Sequence, residues 1–541
     1  MRVSCLISLS LCLAACTAQS SQDVQPFGPS ASDYAKIVEQ TFAAKDWTAK
    51  TLPELSAALA SGELTAQVLT QAYLDRIADI DGAGPRLQAV LSLNPDALAH
   101  AKASDARREK GRVLSALDGI PILFKDNIET LDPIATTAGA YALKDNVTKR
   151  DSPLVAGLRA QGVIILGKTN LSQWANFRSN ESVSGWSALG GQVRNPHMLD
   201  RSPCGSSSGS GAAAAASLAA GTVGTETNGS IICPSNVNGV VGFKPTVGLV
   251  SQKYIVPISK TQDTAGPMTK TVRGAALMLE AMDNQDIRYA ALLDRNSLSG
   301  KSVGVMRFAE GSNDDIKMRF NAALKSMEAA GATLVEIDEF SRDVENYGQK
   351  SLDVLLYEFK SGMDHYLAEA APAVKTRSLE ELIAFNENEP RETTVFDQDL
   401  FEAAEAKGPL SDEIYLTAKS DVQNGTGRNG IDKLMAENKV DMLVSPSGPV
   451  ASRIDPVNGD VWPSWAGAGY LAAVAGYPHI TVPMGDIHGV PIGFSIIAGK
   501  GQDADVLSYG YAFEAGVGGR VEPKYLRSAE DRLELERAMR P

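Results

Sequence analysis

Residues 221–248 read GTVGTETNGSIICPSNVNGVVGFKPTVG, and two shorter segments upstream belong with them. These are DGIPILFKDNIET at 118–130 and CGSSSGSG at 204–211. Lys125 follows the apolar run IPILF, and Ser230 follows a Thr-Asn-Gly turn sequence. A serine hydroxyl is a good nucleophile only when a base takes its proton, and a lysine can be that base only when it is neutral. Both residue types occur in these segments, and several serines could be the nucleophile.

The triple serine at 206–208 raises a different possibility, an α/β-hydrolase. The letters GSSSG fit the G-x-S-x-G turn of those enzymes with Ser207 as the nucleophile, which requires a downstream acid and a histidine. No histidine lies in a metal-ligand spacing or beside an aspartate-containing triad motif. The histidines are His100, His197, His365, His479 and His488. The sequence therefore argues against an α/β-hydrolase triad and predicts no metal site.

Short β-rich runs alternate with helical patterns along the chain. From residue 51, apolar residues recur at helical spacing, and Gly62 and Thr65 mark the break between a short helix and a longer one. Two more helices are predicted at 95–110 and 212–216. Strands are predicted at 163–167, 240–243, 302–308, 442–446, 479–483 and 492–497. This alternation predicts an α/β fold with a central sheet.

The three opening segments resemble the amidase signature family, whose hydrolases use a Ser-Ser-Lys triad and no histidine. The resemblance covers about 50–515 and is weakest at 285–435. It implies the amidase-signature fold, a large mixed central β-sheet covered by helices on both faces. Position by position, it makes Lys125 the base, Ser206 the bridging serine and Ser230 the nucleophile. Within the family the chain is most similar to the bacterial peptide amidases, which release ammonia from C-terminal peptide amides.

The resemblance also assigns an oxyanion hole and a cis peptide bond. Successive backbone N–H groups of Thr227, Asn228, Gly229 and Ser230 are expected to face the negative oxygen that develops during attack. The bridging serine is expected to follow a cis bond, here between Gly205 and Ser206, which is rare outside proline.

Two departures from the common family pattern bear on substrate choice. The usual G-G-S-S-G-G is CGSSSGS here, with Cys204 and Ser208 replacing glycines, and the usual T-G-G-S is TNGS, with Asn228 replacing a glycine. Asparagine tolerates a positive φ better than most residues, so the turn is expected to survive. Similar substitutions in the peptide amidases favour that subgroup over the Glu-tRNA amidotransferases of the family.

Burial is the feature expected to make Lys125 a base. Removal from water disfavours the ammonium form and lowers the pKa of a lysine. An ion pair with the adjacent Asp126 would raise that pKa instead, so Asp126 is expected to point elsewhere, into backbone hydrogen bonds. The alternative is a lysine that forms a salt bridge at the surface.

Residues 162–169, GVIILGKT, match the phosphate-binding pattern G-x-x-x-x-G-K-[ST] letter for letter. A phosphate-binding loop needs backbone amides that are free to point inward, whereas the apolar residues here are typical of a buried strand. Lys168 is therefore predicted to be a structural residue at the end of a strand.

The N-terminus MRVSCLISLSLCLAAC is typical of an export signal. An arginine precedes an apolar run too short to span a bilayer, and the letters LAAC, ending at Cys16, resemble a bacterial lipobox. Cleavage there would remove 1–15 as a lipoprotein signal peptide and leave Cys16 to carry a lipid anchor in a bacterial cell envelope membrane. Residues 16–45 are then a flexible tether, and 46–541 a single amidase domain. The alternative is a secretory signal cut after Ala18.

Export also bears on Cys204 and Cys233, which flank Ser206 and Ser230 closely in sequence. Oxidising conditions outside the cytoplasm permit a disulfide between them. The alternative is two separate thiols, each a small buried residue. We favour this alternative because the sequence does not give the distance between the two residues, on which a disulfide depends.

The composition excludes some classes of function and leaves others open. The net charge of -14 argues against nucleic-acid binding, which depends on lysines and arginines that replace counterions. The predicted function is hydrolysis of a carboxylic amide, a C-terminal peptide amide above all, to an acid and ammonia through an acyl-enzyme, without a cofactor. The alternatives are an amidase for small aryl or fatty acid amides, or a surface-anchored binding protein on an amidase scaffold.

Overall fold

The computed structural model describes residues 46–283, 285 and 287–539. The predictions for the signal peptide 1–15, for Cys16 and for the tether 16–45 lie outside the described residues.

Thirteen strands are found in this part of the chain. They are β1 (Val90–Leu93), β2 (Pro121–Lys125), β3 (Ile164–Thr169), β4 (Trp186–Ser187), β5 (Gly191–Gln192), β6 (Gly221–Glu226), β7 (Val241–Lys244), β8 (Thr264–Thr269), β9 (Ser302–Met306), β10 (Thr333–Ile337), β11 (Met442–Pro446), β12 (His479–Ile487) and β13 (Val490–Ile497).

The α-helices of the described residues fall before, between and after these strands. They are α1 (Leu52–Ser61), α2 (Ala66–Arg76), α3 (Ala97–Glu109), α4 (Pro153–Ala160), α5 (Ser208–Ala215), α6 (Ile232–Asn238), α7 (Val272–Met282), α8 (Asp314–Ala329), α9 (Tyr347–Ala368), α10 (Leu379–Asn388), α11 (Pro390–Thr393), α12 (Asp399–Glu405), α13 (Glu413–Thr426), α14 (Lys433–Asn438), α15 (Gly469–Ala475), α16 (Asp503–Val517) and α17 (Leu533–Met539).

Eleven of the strands form one mixed sheet in the order β1-β3-β2-β6-β8-β7-β12-β13-β11-β9-β10, while β4 and β5 pair separately. Strands β3, β2 and β6 run parallel to one another, and so do β10, β9 and β11. The strands between these two groups pair in antiparallel fashion. The predicted large mixed central sheet is therefore confirmed.

The strands around the centre of the sheet are covered on both faces. Every residue of β2, β3, β6, β7, β8, β11 and β13 is buried. Successive side chains of a strand point to opposite faces, so complete burial requires packing on both sides. Hydrophobic residues from these strands and from the surrounding helices form the largest core cluster.

Most elements predicted from sequence periodicity are confirmed, with shifts of a few residues at their ends. The strands predicted at 442–446 and 492–497 correspond to β11 and β13, and the first two predicted helices correspond to α1 and α2. Thr51 caps α1 through a reciprocal pair of hydrogen bonds with Glu54. No described helix has the length and apolar character needed to span a membrane.

The phosphate-loop pattern is a strand, as predicted. Lys168 lies in β3 and is fully buried. Its Nζ donates to the carbonyl oxygen of Ile128 and to Thr136 Oγ1, the latter at 2.8 Å. Its ammonium group therefore joins two neighbouring segments of the fold and has a structural role.

Candidate active site

Lys125 is the last residue of β2, and its side chain is fully buried. Its Nζ lies 2.7 Å from Ser206 Oγ and 2.8 Å from Thr225 Oγ1, with the Thr225 carbonyl oxygen at 3.3 Å. Thr225 lies near the end of β6, which pairs in parallel with β2. The structure therefore brings together two of the three predicted triad residues, Lys125 and Ser206, at hydrogen-bond distance.

Burial lowers the pKa of Lys125 from 10.5 to about 7, and the negative charges of Asp263 and Glu226 oppose this decrease. Asp126 does not pair with Lys125. Its Oδ2 accepts hydrogen bonds from the backbone N–H of Thr137, at 3.1 Å, and from the Thr137 hydroxyl. The predicted orientation of Asp126 is therefore confirmed. The alternative, in which Lys125 forms a salt bridge at the surface, is wrong. Near neutral pH a substantial fraction of Lys125 is in the neutral form that a general base requires.

The peptide bond between Gly205 and Ser206 is cis, as the family resemblance implied. The backbone is closely surrounded at this point. A Cβ on Gly205 would lie 2.1 Å from Ser172 Oγ, and one on Gly209 would lie 2.3 Å from the carbonyl oxygen of Ala89. Both positions therefore require glycine because the space for a side chain is occupied.

Ser207, the nucleophile of the rejected hydrolase alternative, is engaged with the backbone. Its hydroxyl donates to the Thr225 carbonyl oxygen at 3.0 Å and accepts from the Thr225 N–H at 3.2 Å. It is fully buried and immediately precedes helix α5. These bonds give Ser207 a structural role that ties the serine segment to β6.

Ser230 lies in the turn 227–230 that joins β6 to α6 and is 9% exposed. Gly229 has a φ of +86°, the conformation that favours glycine. Asn228 is not among the residues with positive φ, and it is exposed. The asparagine that departs from the family pattern therefore takes an ordinary backbone conformation, and the glycine that follows it makes the turn.

The first backbone N–H groups after this turn donate hydrogen bonds to a carboxylate. Glu226 Oε2 accepts from the N–H groups of Ile231, at 2.8 Å, and Ile232, at 3.0 Å. Among the described residues, the N–H groups of Asn228, Gly229 and Ser230 have no hydrogen-bond acceptor. These donors are therefore free for another partner.

Ser230 is connected to the serine segment through its backbone. Its carbonyl oxygen accepts from the Ser207 N–H at 3.2 Å. Within the described chain no hydrogen bond joins Ser230 Oγ directly to Ser206 Oγ. The structure thus places Ser230 beside the segment that carries Ser206, and the relay between their hydroxyls stays a prediction.

Cys204 and Cys233 form a disulfide, so the preference for separate thiols was wrong. The bond connects the loop before Ser206 to helix α6, which follows Ser230. The sequence contained the two cysteines but not the position of their Cβ atoms, on which pairing depends.

A cavity of about 640 Å³ adjoins this cluster. Thr225 and Thr227 lie on its wall, which places it beside Lys125. Its longest continuous wall is the segment 252–258, which includes Tyr254 and the buried apolar side chains of Ile255, Val256 and Ile258. Helix α9 also contributes to the lining, with Glu358, Ser361, Gly362, His365 and Tyr366. Volume and apolar lining are in the range typical of small-molecule sites.

Sequence reasoning missed two residues that support the site. Thr225 accepts from Lys125, and Asp263 accepts from the Thr227 hydroxyl at 2.6 Å. The other oxygen of Asp263 accepts from the N–H groups of Ile258 and Ser259. Thr225 lies inside the opening segment 221–248. Its role, like that of Asp263, depends on which groups surround it in the folded protein, and the sequence does not show them.

Two of the histidines are buried and hydrogen-bonded, whereas His365 lies on the cavity wall. His197 and His479 are buried, and burial lowers the pKa of each below 6.5, to about 4 and about 3. Their Nε2 atoms lie 2.9 Å from the Asn238 carbonyl oxygen and 2.7 Å from Ser495 Oγ. Across the described residues, no group of three or more potential metal-ligating side chains is present.

Known proteins share this fold and much of this sequence. The family model for Amidase matches residues 68–507. A probable amidase of Arabidopsis thaliana is 35% identical over 88% of this chain and 91% of its own length. The solved structure of the native peptide amidase of Stenotrophomonas maltophilia is 42% identical, with a TM-score of 0.82, and the match covers 88% of this chain and 98% of that one.

The crystal structure of an amidase family protein of Bacillus anthracis is also similar, at 32% identity and a TM-score of 0.79 over 92% of this chain and 95% of that one. These likenesses and the fold define a hydrolase that acts on carbon–nitrogen bonds of amides. The chain belongs to the amidase signature family.

Proposed function

We propose that this amidase cleaves C-terminal peptide amides by Ser-Ser-Lys acyl transfer. The observation that supports the mechanism most directly is the 2.7 Å separation of Lys125 Nζ and Ser206 Oγ around a fully buried lysine. A base with a pKa of about 7 is half neutral at pH 7. Because Ser206 is bonded to Lys125, it is well placed to relay a proton from the nucleophile.

In the proposed first step, Ser230 Oγ attacks the amide carbon while its proton passes to Ser206 and the Ser206 proton passes to Lys125 Nζ. The free N–H groups of the turn 227–230 stabilise the resulting oxyanion. The proton then returns through Ser206 to the leaving nitrogen, the carbon–nitrogen bond breaks, and ammonia departs. Water attacks the acyl-enzyme along the same proton path and releases the acid and Ser230.

Two observations favour a peptide amide as the substrate. The Stenotrophomonas maltophilia protein, 42% identical over nearly its whole length, is a peptide amidase. The cavity beside Thr225 and Thr227, at about 640 Å³, has room for more than a small primary amide. Its wall combines apolar residues such as Ile255 and Val256 with polar and charged side chains, which suits a peptide with its own polar backbone.

Ammonia release is the test of this function. The protein is assayed with an N-acetylated dipeptide amide, an aryl amide and a fatty acid amide, with Ser230→Ala as the inactive control. The peptide amide should give the highest kcat/KM. A higher value for the aryl or fatty acid amide would replace the proposed substrate, and no ammonia from any of them would favour a binding protein on this scaffold.

The proposal includes attachment to a bacterial membrane through Cys16. It rests on the letters LAAC at the end of an apolar run near the N-terminus. Cys16→Ala should abolish incorporation of a labelled fatty acid when the full-length protein is expressed in bacteria. Unlabelled wild-type protein with a new N-terminus after Ala18 would refute the lipid anchor and leave secretion in its place.

A further inference from the structure

Arg150 lies on the wall of the cavity, and the two edges of its guanidinium group differ in their partners. One edge donates to the carboxylate of Glu129, from Nε to Oε2 and from Nη2 to Oε1, the latter at 3.0 Å. Glu129 is fully buried and is not one of the lining residues. Because both nitrogens of one edge are bonded to the same carboxylate, this pair fixes the orientation of the planar group.

The third nitrogen of Arg150, Nη1, faces the lining residues. Glu369 Oε2 lies 3.7 Å from it, too far for a hydrogen bond, and the guanidinium carbon lies 4.1 Å from the centre of the Tyr254 ring. Glu369 and Tyr254 both line the cavity. Nη1 donates no hydrogen bond to any described residue, and it is not among the buried atoms without a partner, so solvent reaches it. Nη1 is therefore a fixed and accessible donor on the cavity wall.

The proposed reaction determines which part of a substrate this donor can bond. Ammonia is the leaving group, and it carries no oxygen. The oxygen of the scissile amide is directed to the N–H groups of the turn 227–230 in the proposed mechanism. The acceptor for Arg150 Nη1 must therefore be an oxygen of the acyl part, beyond the scissile carbonyl group.

A neutral oxygen fits this donor better than a charged one. Glu129 already balances the positive charge of Arg150, and Glu369 beside Nη1 would repel a carboxylate of the substrate. Main-chain carbonyl oxygens are neutral acceptors, and every residue of a peptide carries one. A fatty acid amide or a simple alkyl amide has no such oxygen beyond the scissile group.

We propose that Arg150 Nη1 donates a hydrogen bond to a main-chain carbonyl oxygen on the N-terminal side of the scissile amide, and thereby selects peptide amides and acylamino acid amides. The inference rests on the function proposed above and specifies its substrate class. A fatty acid amide would cover Nη1 with an alkyl chain and leave this donor without water or another partner. Sites built to bond a polar group of the substrate discriminate strongly against analogues that lack it.

The test exchanges single oxygen atoms of one substrate for sulfur. N-acetyl-alanyl-leucinamide has an acetyl and an alanyl carbonyl group besides the scissile one, and each is replaced in turn by a thiocarbonyl group, a weaker acceptor. Ammonia release measures kcat/KM. With wild-type protein one of the replacements should lower kcat/KM by about tenfold, at the lower end of what a hydrogen bond to a charged group contributes. The other replacement is the internal control for the size of sulfur.

A double variant removes the donor and a matched one separates binding from folding. Arg150→Met/Glu129→Gln leaves no buried carboxylate unpaired, and each sulfur replacement should then change kcat/KM by less than about threefold. Arg107→Met/Asp118→Asn is the matched control. Arg107 also donates through Nε and Nη2 to a fully buried carboxylate, that of Asp118, but it lies in α3 and does not line the cavity. This control should lower the thermal midpoint and keep the tenfold effect of sulfur.

Lys253 separates a directed hydrogen bond from a general effect of positive charge. It lines the cavity with an exposed side chain, and its Nζ lies 4.7 Å from the centre of the Tyr254 ring. Lys253→Met should change kcat/KM for the oxygen and sulfur substrates by the same factor. Loss of the tenfold difference in this variant would show that the difference does not depend on Arg150 alone, and would overturn the inference.

The outcomes distinguish this inference from the function on which it rests. Equal kcat/KM for the oxygen and sulfur substrates with wild-type protein, or an unchanged tenfold effect in Arg150→Met/Glu129→Gln, would overturn the role of Arg150 and leave the peptide amidase function standing. If the double variant does not fold, Arg150→Lys replaces it, because lysine keeps a cation opposite Glu129 but has a single nitrogen. An unchanged effect in Arg150→Lys would overturn the inference equally. No ammonia from the oxygen substrate with wild-type protein would refute the proposed function and the inference together.

Discussion

If Lys125 is the general base proposed above, its burial determines how the rate of amide hydrolysis depends on pH. A lysine with the usual pKa of 10.5 is neutral in about one molecule in 3,000 at pH 7, whereas a pKa of about 7 leaves half of the molecules neutral. Burial therefore increases the neutral fraction of Lys125 at pH 7 by about a thousandfold, equivalent to about 4 kcal/mol. We expect kcat/KM to fall about tenfold for each pH unit below the pKa and to level off above about pH 8.

Replacement of Lys125 should remove this dependence together with most of the activity. Lys125→Ala should lower kcat/KM by a factor of about 10² to 10⁴, the usual contribution of a general base. Lys125→Arg should be no better at any pH, because a guanidinium is not deprotonated in a protein. Ammonia release from a peptide amide between pH 5 and pH 10 measures both effects. Near-normal turnover in Lys125→Ala would refute the assignment of the base.

Asp263 provides the control for the origin of the acid limb. Burial raises its own pKa to about 6, so it titrates close to Lys125. Its negative charge also raises the pKa of Lys125. If the limb belongs to Lys125, Asp263→Asn removes that charge and moves the limb to lower pH. Disappearance of the limb in Asp263→Asn would show that the titrating group is Asp263.

Two other sets of variants test the serines and the disulfide. Ser230→Ala should abolish labelling by a fluorophosphonate, Ser206→Ala should slow turnover by a factor of about 10² to 10⁴, and Ser207→Ala should still be labelled at Ser230; a probe attached to Ser207 would contradict the assignment. The Cys204–Cys233 bond closes a loop with a sequence separation of 29, so its loss should cost about 3 to 4 kcal/mol of unfolding free energy. Urea unfolding of Cys204→Ser/Cys233→Ser measures this loss, and a midpoint equal to that of the oxidised wild type would contradict it. A reductant should not shift the midpoint of the double variant.

The sequence predicted those parts of the site that are marked by a short motif or a run of apolar residues. The apolar run before Lys125 predicted burial, and the family resemblance predicted the cis bond before Ser206. The wall formed by helix α9 was not predicted, because the resemblance to the family is weakest at 285–435 and no site residue was assigned there. The disulfide was also misjudged, since two cysteines 29 residues apart carry no information about the distance between their Cα atoms, which is 5.9 Å.

The order of the strands explains why Lys125, Ser206 and the turn 227–230 meet at one edge of the sheet. Strands β3, β2 and β6 are parallel neighbours, so their carboxyl ends emerge together, as they do at many sites in α/β proteins. Lys125 ends β2, the turn with Ser230 follows β6, and the chain after β3 holds the serine segment through the bond from the Ser172 N–H to the Ser206 carbonyl oxygen at 3.1 Å. Because central strands are covered on both faces, a lysine in this position is removed from water by the fold itself. The packing that forms the core thus also lowers the pKa of Lys125, so variants that admit water beside β2 should lose activity at neutral pH before they lose the fold.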